Sequence, residues 1–140
     1  TMLVQSSSAT VGMTILLFNS GLLPFPSAVA LTLGDNIGSC IVAQIAGMKS
    51  NTAGKRTAWA HTIYNVAGVL LAWLFLPQFC ILVQKFTDWM GQDSSRLIAN
   101  AHTIFNILSA LLFLPISKYY VRFLQFIIPE KAQTRRLRWP

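Results

Sequence analysis

Two stretches of this chain, Trp59 to Val83 and Leu97 to Ser117, contain no Asp, Glu, Lys or Arg. Each can cross a hydrocarbon core, which takes about 20 helical residues. In lipid the backbone has no water to bond, so such a segment must satisfy its own N–H and C=O groups as a helix. The remaining residues agree with that constraint. The chain is 54% hydrophobic and 11% charged, where a soluble domain carries about a quarter charged residues. A soluble fold would have nowhere to put this much apolar surface. The expected fold class is an all-α membrane protein.

The charges are not scattered. Lys49, Lys55 and Arg56 lie in one connection, and Lys131, Arg135, Arg136 and Arg138 lie in the tail. Between the two charge-free runs, Lys85 and Arg96 are balanced by Asp88 and Asp93. Cations gathered on alternate connections follow the positive-inside rule, which places the first connection and the basic C-terminal tail in the cytoplasm. The net charge of +7 therefore does not point to nucleic acid, whose partners spread cations over a polar face. Cys40 and Cys80 have neither disulfide nor metal-ligand spacing and are expected as small buried hydrophobes.

Read along the chain, Ala9 to Leu23 is a helix ended by Pro24 and Pro26. At about 1.5 Å per residue it reaches some 20 Å, short of a full span. Phe25 to Leu33 and Ile37 to Met48 are expected as two half-helices joined through Gly34-Asp35-Asn36. Gly47 to Gly54 is a cytoplasmic loop. Ala58 to Leu76 spans outward to Pro77, Gln84 to Arg96 faces outside, and Leu97 to Ser117 spans back. Val121 to Ile128 is expected to lie along the inner interface as an amphipathic helix. Residues 1–128 thus form a membrane unit, and residues 129–140 a basic cytoplasmic tail. AHTIYN (Ala60 to Asn65) and AHTIFN (Ala101 to Asn106) each precede a run ending in LFLP. With this topology the echo is inverted across the membrane. The start at Thr1, four residues before a polar motif, looks like a cut through an element of a longer protein.

Two polar runs interrupt the apolar sequence. The first is QSSSATVG (Gln5 to Gly12) and the second GDNIGSC (Gly34 to Cys40). Hydroxyls and amides are costly in a bilayer unless they meet each other, water or a solute. Interrupted apolar segments of this kind build solute sites in transporters. Ser6, Ser7 and Ser8 stand at a half-helix N-terminus, where free N–H groups and the dipole favour an anion. The plainer alternative is an N-cap with packing serines, preferred for Ser8 alone. Asn36, Gly38 and Ser39 are expected to open the second half-helix, making a second anion cradle, with the glycines allowing close approach of a solute. Asp35 has two open readings: a holder of a proton or Na⁺, or a helix cap.

His61 with Asn65, and His102 with Asn106, each share a helix face. Helix–helix hydrogen bonding is the preferred reading; haem ligation by His61 and His102, or a purely structural subunit, are the alternatives. An intramembrane Ser/His hydrolase is disfavoured, since the chain has no G-x-S-x-G elbow and the expected depths of Ser7 and His61 differ. No enzyme activity is expected.

The succession QSSSATVG, GDNIGSC, KRTAWAHTIYNVAG and AHTIFN with LFLP resembles the type II sodium–phosphate cotransporter family through most of Gln5 to Pro115. In that family a QSSS motif occurs once in each of two inverted repeats, so this chain resembles one repeat, the C-terminal one. The resemblance implies half of an inverted-repeat carrier that moves inorganic phosphate with Na⁺ by alternating access across the bacterial plasma membrane, with no other cofactor. It implies phosphate and Na⁺ contacts at Gln5, Ser6, Ser7 and Ser8, joined by Asn36 and Ser39 from the facing helix. It also implies a partner half, supplied by an N-terminal repeat or a second copy. Asp35 is an added acid beside such a site, unfavourable there unless protonated or paired with Na⁺.

Overall fold

The computed structural model describes residues 1–130; the basic tail beyond Glu130 lies outside them. Six helices make up the fold: α1 (Ser7–Asn19), α2 (Phe25–Met48), α3 (Thr52–Leu74), α4 (Leu76–Trp89), α5 (Leu97–Phe113) and α6 (Ser117–Ile127), with a 3₁₀ turn at Ser94–Arg96 leading into α5. Among the described residues there is no strand, in line with the all-α expectation. Phe25–Met48 and Ser94–Phe113 are each long and apolar enough to cross a membrane.

α2 corrects the expected break. Its 24 residues run unbroken through Gly34, Asp35 and Asn36. A glycine inside a helix costs only about 1 kcal/mol relative to alanine, and no proline follows Pro26 before Met48. Nothing in that segment is strong enough to stop the helix. The break falls instead after α3, where α3 and α4 meet at 89°. Pro77 lies in the first turn of α4, where a missing N–H is tolerated, whereas further along a continuous α3 its ring would clash with the preceding turn. α4 therefore takes over half of the connection expected at Gln84 to Arg96. The second LFLP behaves alike: α5 stops at Phe113, and α6 begins two residues past Pro115. The echo is a helix, a proline break and a second helix, used twice. The loop expected from Gly47 to Gly54 shrinks to the residues between Met48 and Thr52.

α2 is the central element, packed on α1, α3, α4 and α5. Val29, Leu33, Val83 and Ile98 are fully buried where α2, α4 and α5 meet. α3 and α5 run antiparallel. A Cβ on Gly68 would meet Phe105 at 3.3 Å and Ser109 at 3.1 Å, while Tyr64, earlier in α3, stacks edge-on against Phe113, later in α5, with centroids 4.8 Å apart. The two echo copies thus point in opposite directions. The outer surface carries Leu16, Trp73, Leu74, Leu111 and Leu114, all exposed, as suits a surface that faces lipid or further protein.

Charge separates by end. Lys49 caps α2 and Lys55 and Arg56 open α3. Arg56 Nε donates to the Ile128 carbonyl at 2.9 Å, and Tyr120 Oη to the Ala60 carbonyl at 2.6 Å. These bonds bring α6, with Lys118 and Arg122, to the same end. Lys85, Asp88, Asp93 and Arg96 belong to the other end, where α4 stops and α5 starts.

Candidate functional site

α1 begins two residues earlier than expected and ends at Asn19 rather than Leu23. Ser6, not Ser8, is the N-cap, and its Oγ accepts from the Ala9 N–H at 3.3 Å. Ser7 and Ser8 occupy the first turn, with the Ser6 and Ser8 hydroxyls 3.2 Å apart. Gln5 precedes them with φ 53°, the left-handed region that costs a residue with a Cβ about 1–2 kcal/mol. Strain at such a position is typical of functional turns. It re-aims the backbone so that residues 1–5 fold back in a turn, closed by the Gln5 N–H on the Thr1 carbonyl at 2.7 Å.

That turn lies directly on the middle of α2. A Cβ at Gly38 would stand 3.0 Å from the Thr1 Cβ and 3.5 Å from the Met2 N. Gly38 does permit a close approach, but of the chain's own pre-α1 segment. The Thr1 hydroxyl donates to Asp35 Oδ1 and lies 2.6 Å from Thr10 Oγ1. Thr10 Oγ1 in turn reaches the Ser7 carbonyl at 3.0 Å and the Ser6 carbonyl at 3.3 Å. A continuous polar chain therefore joins Asp35 on α2 to the serine turn of α1. Asp35 Oδ2 is buried with no hydrogen-bond partner, alone in this among the described residues. An unpaired buried carboxylate oxygen is costly, and a proton or small cation would satisfy it.

Asn36 and Ser39 are placed beside this chain but not as expected. Both sit within α2, so their N–H groups belong to the helix ladder and offer no second N-terminal anion cradle. Asn36 is buried, and its amide donates to the Thr32 carbonyl at 3.1 Å; Ser39 Oγ donates to the Asn36 carbonyl at 2.7 Å. Asp35 caps no helix. What remains is one helix N-terminus, at α1, facing a carboxylate from a continuous helix.

The His/Asn pairs act within their own helices. Asn65 Nδ2 donates to the His61 carbonyl at 2.9 Å and Asn106 Nδ2 to the His102 carbonyl at 2.8 Å; across helices, Cys40 Sγ of α2 donates to the His61 carbonyl at 3.9 Å. The antiparallel packing levels His61 with the end of α5, about 20 Å along the axis from His102 at 1.5 Å per residue. One haem iron cannot be shared over that distance. The shorter ties between α2 and α3 come from Gln44, whose Nε2 donates to Thr62 Oγ1 at 2.7 Å and the Ala58 carbonyl at 3.2 Å. Thr1, Thr10 and Gln44 went unnoticed in the sequence. Thr10, one turn from Ser6 and Ser7, was in principle legible; the other two act through residues remote in sequence. A separate groove of about 270 Å³ between α3, α4 and α5 is lined mainly by Leu71, Phe75, Phe79, Phe105 and Leu112, with Gln78 and Ser109 as its polar side chains and no charged one.

Fold and site together define a helical membrane protein with a polar centre in an apolar bundle. Residues 1–111 match the family described as Na+/Pi-cotransporter, and the chain belongs to that family. It is similar to YqeW of Bacillus subtilis (strain 168), described as uncharacterized, with 36% identity over 94% of this chain and 41% of that protein. It is 28% identical to the putative inorganic phosphate export protein YjbB of Escherichia coli (strain K12), over 91% of this chain and 23% of that one. It is 36% identical to the sodium-dependent phosphate transport protein 2B of Mus musculus, over 69% of this chain and 14% of that one. The chain thus spans less than half the length of each. No solved structure matches it.

Proposed function

We propose that this chain supplies one repeat of a carrier that moves inorganic phosphate across a membrane with Na⁺ as the coupling ion. The observation that carries the reading is the polar chain from the serine turn of α1 through Thr10 and Thr1 to the unpaired Asp35 oxygen. Family membership supports phosphate as the solute. On this reading the free N–H groups and hydroxyls of Ser6, Ser7 and Ser8 bind the phosphate oxyanion, with the Gln5 amide beside them. Na⁺ sits between this turn and Asp35, where its charge offsets the repulsion between carboxylate and phosphate. Asn36, Gly38 and Ser39 shape the α2 wall. His61, Asn65, His102 and Asn106 support the helices.

One repeat offers half a cradle. The facing half comes from an N-terminal repeat or a second copy, and the relatives' greater length favours the first. The switch between inward- and outward-facing states needs no covalent chemistry; it needs phosphate and Na⁺ to bind the two states differently. The cation-rich end faces the cytoplasm of a bacterial plasma membrane, with residues 129–140 as its basic tail.

The test is phosphate uptake into proteoliposomes holding the full-length protein, with and without a Na⁺ gradient. Na⁺-dependent uptake that Ser7→Ala abolishes is the expected result. Uptake indifferent to Na⁺ would assign coupling to a proton at Asp35. No uptake by folded protein would overturn the carrier reading.

A further inference from the structure

α6 carries three distinct faces, and only one is used by the fold. Tyr120 and Leu124 dock on the bundle: Leu124 is 4% exposed, and the Tyr120 ring packs edge-on against Phe113, centroids 5.8 Å apart. At about 100° per residue, Tyr119, Phe123, Phe126 and Ile127 form a second, neighbouring sector. All four are exposed, Phe126 by 85%. Lys118, Arg122 and Gln125 form the third sector, which borders the second where Arg122 lies about 40° from Phe126, and all three are exposed.

We propose that α6 binds an anionic lipid surface, its aromatic sector among the acyl chains and its cations on the lipid phosphates. Charge complementarity selects this occupant. Lys49, Lys55 and Arg56 share the same end of the bundle, and among the described residues Glu130 is the single acid there. An apolar face bordered by cations that reach to the headgroups is the arrangement of an interfacial helix. A covering protein helix would have to meet the aromatic sector while leaving both cations unpaired. The docking bonds fix the orientation: Tyr120 Oη on the Ala60 carbonyl and Arg56 on the Ile128 carbonyl hold the helix at both ends against α3, so the free sectors cannot roll inward. Each cation near an anionic surface is worth about a fivefold gain in association, and the gain falls with salt. The inference does not depend on what the protein carries.

The experiment uses the full-length protein in bilayers of phosphatidylcholine with an equal part of phosphatidylglycerol. Spin labels at Phe123→Cys and Gln125→Cys, about 160° apart around the helix, are probed with oxygen and with a water-soluble nickel chelate. The label at 123 is expected to be reached by oxygen and the label at 125 by nickel. Shielding of 123 from both would show protein covering the face and overturn the proposal, as would nickel access at 123. In parallel, lipid selectivity is read from spin-labelled phosphatidylglycerol and phosphatidylcholine. The native protein is expected to prefer the anionic lipid several-fold, and Lys118→Gln/Arg122→Gln to bring the ratio near unity. Both side chains are exposed, so this variant leaves the fold intact. No preference in the native protein, or an unchanged one in the variant, would overturn the proposal.

Discussion

Three asparagines repeat one device. Asn36, Asn65 and Asn106 each turn the amide back to the carbonyl one helical turn earlier, so a polar side chain can sit inside an apolar bundle without a partner helix. The threonines do the same: Thr14, Thr32 and Thr87 bond the carbonyl four residues back at 2.8–3.0 Å. Thr10 is different because its hydroxyl also reaches across to Thr1. Thr10→Val keeps the shape and removes both links. With a net hydrogen bond worth about 0.5–1.5 kcal/mol, it should weaken apparent Na⁺ or phosphate affinity about two- to tenfold, while Thr14→Val leaves both unchanged. Concentration dependence of uptake distinguishes the two variants. Asp35→Asn removes the charge but not the shape; it should abolish the dependence on Na⁺ more completely than it reduces protein yield.

At the scale of elements, the bundle depends on close crossings. A Cβ on Gly47 of α2 would lie 2.6 Å from the Ala58 Cβ of α3, closer than two carbons can stand. Overpacking of this kind costs about 1–3 kcal/mol. Gly47→Leu should lower the melting temperature in detergent, followed by size-exclusion chromatography after heating, whereas the same change at Gly34, which has open space around it, should not. The start of α5 carries a pH signature. Asp93 is held below its ordinary 3.8 by the Ser95 hydroxyl and then by the Ser95 N–H, which bonds Oδ1 at 3.0 Å. A depressed acid stabilises above its unfolded value and loses that contribution as pH falls through the folded value. The melting temperature difference between the native protein and Asp93→Asn should therefore be small and constant from pH 7 to 5 and shrink only below about 3.8. The side chain is fully exposed, so the effect stays small.

For the whole molecule, the separation of charge by end predicts orientation. Single cysteines at Lys55 and Lys85, in a protein whose own Cys40 and Cys80 are buried, should label asymmetrically. A membrane-impermeant maleimide applied to intact cells should reach position 85 and not position 55. Labelling of both, or the reverse, would contradict a cytoplasmic cation-rich end.

The sequence by itself determined the class of protein and the order of its apolar segments. Charge-free runs admit only helices in lipid, Pro77 marks the end of the span before it by sterics, and the alternation of charge between connections sets the two AHTI[YF]N units in opposite senses; each is readable from the order of residues alone. The serine run was likewise visible, because polar groups in apolar sequence are costly enough to need a reason. The tertiary structure decided what those residues do. Whether Gly34-Asp35-Asn36 breaks a helix is a balance of about 1 kcal/mol per glycine against packing on four neighbouring helices, and packing prevailed. That Asp35 answers the serine turn through Thr1 and Thr10, and that α6 is fixed by Ala60 and Arg56, depends on contacts between residues 34, 60 and 72 positions apart, which no local pattern encodes.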